Sequence, residues 1–320
     1  MVLSIAACSS GNETQSDRDA IAVPTQAEFC SELPRAGWAA YKKHSASNGW
    51  FKVYKIADDL YAIAEPYQWQ EVINYLMIGE SRALLFDSGN GMGDIKAIVD
   101  QVTDLPVMVL ASHSHIDHVG GHWQFDDVLA PRTAFTDARA LGADNDFVRE
   151  EASAAALCAP LPGGVTEDNH HIKPFTVTRR VGEGDEIDIG GRVLDVIAIP
   201  GHTPDSIALI DRARGRLFTG DSYYKGPIWL YAPETDLDQF ALSITRLASL
   251  APEMTAVHGA HNEPFSEPGE LVNVRDGFLA VHRGDVVPDE VTQTQARYVF
   301  ESFELLLQVN HETHPLANKD

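Results

Sequence analysis

Five apolar residues, Val107-Met108-Val109-Leu110-Ala111, run without a break into Ser112-His113-Ser114-His115-Ile116-Asp117-His118-Val119-Gly120-Gly121. A continuous apolar run predicts a strand buried on both faces, which demands packing layers above and below it. Side chains two apart in extended chain point the same way, so His113 and His115 converge. Asp117 and His118 follow in the turn and can face a second point nearby. Imidazole with carboxylate suits zinc and other borderline ions. The Gly120-Gly121 turn keeps the group on a rigid strand edge. The segment thus predicts a layered sheet protein with a metal centre at one strand end. The competing reading, a solvated histidine-rich turn, weakens as further motifs accumulate.

The surrounding pattern supplies the layers. Residues 51–56 alternate apolar and polar with period two, a strand signal, and 60–64, 72–78 and 83–86 continue the series. Ser88-Gly89-Asn90-Gly91 is a turn cluster. Residues 94–102 read as a helix with Ile95, Ile98, Val99 and Val102 on one face. Further strands are expected at 177–181, 185–189, 193–199, 206–210, 217–219 and 254–257, with helices at 238–250 and 268–281. Residues 298–307 read as a last strand or a helix, with strand favoured by Tyr298, Val299, Phe300 and Phe303. This order fits an α/β (α+β) domain. No linker-like stretch divides it, so one domain is expected over 49–320, behind an extension and tether over 1–48.

Three later motifs join the first: Ile199-Pro200-Gly201-His202-Thr203-Pro204-Asp205-Ser206, Phe218-Thr219-Gly220-Asp221, and Val257-His258-Gly259-Ala260-His261-Asn262. Each ends a predicted strand. In this order, over residues 50–285, the chain resembles the metallo-β-lactamase-fold hydrolase superfamily. The resemblance implies a four-layer αββα sandwich and two Zn2+ ions per chain. It implies that His113, His115 and His202 hold one ion, that Asp117, His118 and a last histidine hold the other, and that Asp221 bridges them. His261, in Gly-Ala-His-Asn, matches the family's ending; His258 is the alternative, with a buried hydrogen-bonded histidine as its ordinary role. Thr203, Asp205 and Ser206 are candidates for supporting the His202 loop. Tyr223 and Tyr224 are candidate catalytic donors to a developing oxyanion, weighed against plain aromatic packing. His122 and Trp123 are candidates for the site mouth. His170 and His171 read as solvated, and His44, His282, His311 and His314 belong to no motif.

Two ions about 3.5–4 Å apart lower the pKa of a shared water toward about 7, and the hydroxide then attacks a carbonyl or phosphorus centre. Asp117 is the candidate to accept or relay the proton. No G-x-S-x-G element is present, and none is needed. By resemblance, an acidic residue at the Asp221 position belongs to thioesterases, lactonases and phosphodiesterases rather than to dedicated zinc β-lactamases. With 24 Lys and Arg against 47 Asp and Glu, the net charge of −23 argues against nucleic acid as a partner, and so against the family's nuclease branch. The expectation is a small-molecule substrate, with an ester, lactone or related acyl bond cleaved. Phosphodiesterase or β-lactamase activity on the same centre is the enzymatic alternative, and a non-catalytic metal-binding periplasmic protein the alternative of another class. Ile5-Ala6-Ala7-Cys8 resembles a bacterial lipobox ahead of a polar tether. It suggests an exported, periplasmic or membrane-anchored lipoprotein with a lipid on Cys8. If the protein is exported, Cys30 and Cys158 are free to pair.

Overall fold

The computed structural model describes residues 26–309. Cys8, His311 and His314 lie outside them. Eight strands in chain order form the first sheet: Lys42–Lys43, Lys52–Ala57, Leu60–Ala64, Ile73–Ile78, Ala83–Phe86, Val107–Leu110, Val128–Pro131 and Arg179–Val181 (β1 to β8). Pairing is antiparallel up to β5 and parallel from β5 to β8. The second sheet holds Glu186–Asp188, Val193–Ala198, Ile207–Asp211 and Arg216–Gly220 (β9 to β12). A third sheet takes Gly226–Leu230 (β13), while Ala256–Gly259 (β14) returns to the second, parallel to β12. Glu290–Val291, Gln295–Val299 and Phe303–Gln308 (β15 to β17) complete the third.

Period-two alternation explains the layering. On β6, Met108 and Leu110 point into the space between the two large sheets, and Val109 points to the far side. On β11, Ile207 and Leu209 face that same space while Ala208 and Ile210 face outward. The inner layer is closed by Tyr75, Phe86 and Phe218, whose rings meet edge to face at 5.3 and 6.3 Å. Outside the first sheet, Ile95, Ile98 and Val99 of the helix Ile95–Val99 pack with Val109. Outside the second, the helices Leu237–Leu250 and Glu270–His282 bury Phe240, Ile244, Phe278 and Val281. This is the αββα arrangement, and it gathers the strand ends that carry the motifs. Among the described residues no helix is long and apolar enough to cross a membrane.

Three expectations need correction. The folded body begins before residue 49: Trp38 is buried against the inner layer, β1 pairs with β2, and Cys30 is bonded to Cys158. The last strand is a hairpin, β16 against β17, turning at residues 300–302. The third sheet, joining β13 in parallel to β17, is an addition to the two-sheet sandwich.

Candidate metal centre

β6 delivers the first histidines. Beyond Leu110 the chain turns, His115 caps the one-turn helix Ile116–Val119, and Asp117 and His118 sit in that turn. The helix is too short to stand alone. The loop after β5 holds it: Ser88 N donates to the His118 carbonyl at 2.9 Å, and Gly120 N to Gly89 O at 2.9 Å. Gly120 is required for this approach, since a Cβ there would lie 2.4 Å from backbone atoms of Asn90 and Gly91. β12 brings Asp221 to the same edge. Gly220 has φ +52°, and a Cβ on it would meet Ser112 at 2.6 Å, so only glycine allows the two loops to touch.

Seven side chains converge there. His113 Nε2, His115 Nδ1 and His202 Nε2 lie 3.0, 3.2 and 3.1 Å from one another. Nitrogens on a tetrahedral zinc stand about 3.3 Å apart. Asp117 Oδ2, His118 Nε2 and His261 Nε2 make the second group, with His118 to Asp117 at 3.1 Å. Asp221 lies between. Its Oδ2 is 3.8 Å from His113 and 3.5 Å from His202, and its Oδ1 is 3.5 Å from His118 and 2.9 Å from His261.

The outward nitrogens fix the tautomers. His202 Nδ1 donates to the Trp229 carbonyl at 2.8 Å, and His261 Nδ1 to the Gln70 carbonyl at 2.6 Å. His115 Nε2 meets Glu234 Oε1 at 3.0 Å, and His118 Nδ1 meets Asp87 Oδ2 at 3.2 Å. His113 Nδ1 meets Ser112 Oγ at 3.1 Å. When neutral, rings so held point bare lone pairs inward, and His113 can give at most one proton to the three-way contact. The buried His118 Nε2 and Asp221 Oδ1 have no hydrogen-bond partner. Lone pairs aimed at one another and at carboxylates repel unless cations sit among them, so this donor set fits metal ions.

Electrostatics point the same way. Burial pushes His113 well below the usual imidazole range and His202 down to about 4. Burial opposes charge on His118 too, but the Asp117, Asp221 and Asp87 carboxylates push it well above that range. His261 is raised against burial by Asp221. Asp221 lies well below the usual carboxylate range; burial works against this, and His261, His118 and His113 outweigh it. The field that would hold protons on His118 and His261 is the field a cation would occupy.

His258 stands apart. Its Nδ1 meets the Pro264 carbonyl at 2.6 Å, its ring stacks on Phe218 at 4.9 Å, and burial lowers it to about 4. Thr203 Oγ1 and Thr136 Oγ1 donate to Asp205 at 2.7 and 2.8 Å, and Ser206 Oγ accepts from Thr203 N, which ties the His202 loop to the helix Ala134–Arg139. Tyr224 packs its ring 4.7 Å from His261, but its hydroxyl donates to the Pro227 carbonyl. Tyr223 is fully buried in the outer core. Neither phenol is positioned as an oxyanion donor. His122 is buried beneath the loop, 2.6 Å from Ser88 Oγ, rather than at the mouth, whereas Trp123 is 42% exposed. His170 is buried, not solvated.

Sequence reasoning missed Asp87 and Glu234. Asp87 had a signal: an acid ending a buried strand that runs parallel to β6, with Phe86 level with Leu110. Glu234 had none, being 119 residues from His115 in a loop of no motif.

Fold and site together define a metal-dependent hydrolase built at the edge of an αββα sandwich. The chain belongs to the metallo-beta-lactamase superfamily, whose description matches residues 70–261. It is 28% identical over 215 residues to acyl-coenzyme A thioesterase MBLAC2 of Bos taurus, covering 63% of this chain and 76% of that one. It is 30% identical over 208 residues to a hydroxyacylglutathione hydrolase of Aeromonas salmonicida, covering 64% of each. Among solved structures, a metallo-beta-lactamase family protein from Thermus thermophilus superposes with a TM-score of 0.53 at 18% identity, over 72% of this chain and 82% of that one. A beta-lactamase domain protein from Burkholderia ambifaria gives 0.53 at 20%, over 77% and 81%.

Proposed function

We propose that the protein is a dinuclear zinc hydrolase that cleaves thioesters, one of the acyl bonds related to carboxylic esters. The observation that carries this reading is Asp221, with one oxygen toward each histidine group. The names of the relatives, an acyl-coenzyme A thioesterase and a hydroxyacylglutathione hydrolase, favour a thioester over an ester or lactone. Bound zinc supplies Lewis acidity and lowers the pKa of a shared water toward about 7. His113, His115 and His202 would hold one ion, and Asp117, His118 and His261 the other. Asp117 meets His118 and His261 through Oδ2. Its Oδ1 is left to take the proton of the attacking water as the water oxygen bonds to the acyl carbon. When the C–S bond breaks, the same oxygen returns that proton to the departing thiolate. Burial alone would raise the Asp117 carboxyl, but His118 holds it below the usual range, so the group is ionised.

The proposal extends to location: an exported protein carrying a lipid on Cys8. The Cys30–Cys158 bond supports an oxidising compartment, because such bonds are rare in reducing cytosol.

The zinc-loaded protein is tested on thioesters, esters, lactones, β-lactams and phosphodiesters together with metal analysis. The expected result is about two zinc per chain and kcat/KM on thioesters at least about tenfold above the other classes. Turnover of only phosphodiesters or β-lactams, or a stoichiometry of one or none, overturns the reading.

A further inference from the structure

Interior aromatics of this fold, such as Tyr75, Phe86, Phe218 and Phe240, are at most 1% exposed. Three aromatics beside the metal centre behave differently. Trp69, Trp229 and Tyr231 are each only partly buried. Trp229 and Tyr231 alternate with Ile228 and Leu230, which are 0 and 1% exposed and point into the core. Alternation puts Trp229 and Tyr231 on the opposite face. Trp69 reaches them from the loop between β3 and β4. Its ring lies 5.0 Å from Trp229, and Trp229 lies 5.2 Å from Tyr231.

The rings are held, not loose. Trp69 Nε1 donates to Glu151 Oε2 at 2.9 Å, and its backbone N–H to Ala156 O at 3.0 Å. The row is also fastened to both halves of the metal centre. The Trp229 carbonyl receives His202 Nδ1, and the carbonyl of Gln70, next to Trp69, receives His261 Nδ1. A pre-organised apolar wall is thus indexed to one ligand of each histidine group. Rigid aromatic surface beside a few fixed polar groups is the makeup of a small-molecule subsite.

We infer that Trp69, Trp229 and Tyr231 form the acyl-group subsite and select thioesters whose acyl part is bulky and apolar, an aryl-bearing acyl group above all. The inference rests on the thioester reading above. With the carbonyl at the metal centre, an arene on the acyl side lies against the indoles, whereas an acetyl or hydroxyacyl group leaves them wet.

The test uses one thiol, N-acetylcysteamine, carrying acetyl, lactoyl, octanoyl or phenylacetyl, with zinc-loaded wild type, Trp69→Ala, Trp69→Phe and Trp229→Phe. Wild type is expected to favour phenylacetyl over acetyl and lactoyl by about tenfold or more in kcat/KM. Trp69→Ala should remove most of that preference, chiefly through KM, with zinc content retained, and Trp69→Phe should restore part of it. Equal rates on acetyl and phenylacetyl, or equal losses on both in Trp69→Ala with zinc retained, overturn the inference. If no thioester is cleaved, the thioester reading fails on its own. The wall is then judged by phenylacetate quenching of tryptophan fluorescence: quenching weakened in Trp69→Ala supports it, and no quenching in wild type sinks it.

Discussion

His258 and His261 are three residues apart, yet the fold gives them separate tasks. His261 Nε2 faces Asp221, while His258 sits against Phe218 with its Nδ1 on Pro264. His261→Ala should therefore lose about one metal per chain with the fold retained. His258→Ala should keep its metal and lose about 2–4 kcal/mol of stability, from a new cavity and an unpaired carbonyl. Metal analysis alongside urea unfolding separates the two, and the reverse pattern would exchange their roles. Glu234 acts one step further out. The hydrogen bond from His115, aided by Arg139, holds its carboxyl down to about 2, so it stays an acceptor. Removing such an outer partner typically weakens metal binding about 10–100-fold. Glu234→Ala should show a loss of that order in a competitive chelator titration. Glu234→Gln, which still accepts from Nε2, should show much less. An equal loss in both would mean that the charge, not the orientation, matters.

At the scale of elements, strands announced themselves and turns did so unevenly. The run 107–111 was legible because both of its faces are buried. The helix Leu237–Leu250 was legible from Phe240, Ile244 and Leu247, which are buried on its core side, although Leu242, read as core with them, is 66% exposed. The β16–β17 hairpin was not, because Phe300-Glu301-Ser302 carries none of the glycine, proline or asparagine that usually marks a turn. Histidine burial was equally hidden: His122 and His170 look polar in sequence and are covered only by distant segments. The Gly120-Gly121 pair was seen as a rigid turn, but its deeper reason is backbone contact with residues 88–91. Gly120→Ala puts that to a direct test. Its Cβ meets backbone rather than a flexible side chain, so the whole one-turn helix must shift. A loss of about 3 kcal/mol or more is expected, with weakened metal retention because Asp117 and His118 ride on that helix. A variant with wild-type unfolding and full metal content would show that the loops can part at little cost.

For the molecule as a whole, the seven candidate ligands were legible because each ends a strand and carries its own local motif. What brings them to one edge is non-local pairing, which leaves no local mark. The third sheet is the clearest case, since β13 pairs in parallel with a strand more than 70 residues later. Residues 26–48 are another. They fall in the stretch read as extension and tether, yet they close one side of the molecule through Trp38, β1 and the bond from Cys30 to Cys158, 128 residues apart. That span makes the disulfide a whole-molecule constraint. Cross-linking distant points restricts the unfolded chain, and native disulfides of this kind contribute about 2–5 kcal/mol. Around Cys158 the bond also fastens the segment that pairs with the Trp69 loop: Cys158 N donates to Tyr67 O at 2.7 Å. Cys30→Ser should lower the urea midpoint by an amount worth about 2–5 kcal/mol and expose residues 26–48 to protease before the sandwich yields. Wild type held in reductant should behave as the variant does. If both unfold at the wild-type midpoint with residues 26–48 still protected, then Trp38 and the β1–β2 pairing hold that segment by themselves, and the bond contributes nothing measurable to the native state.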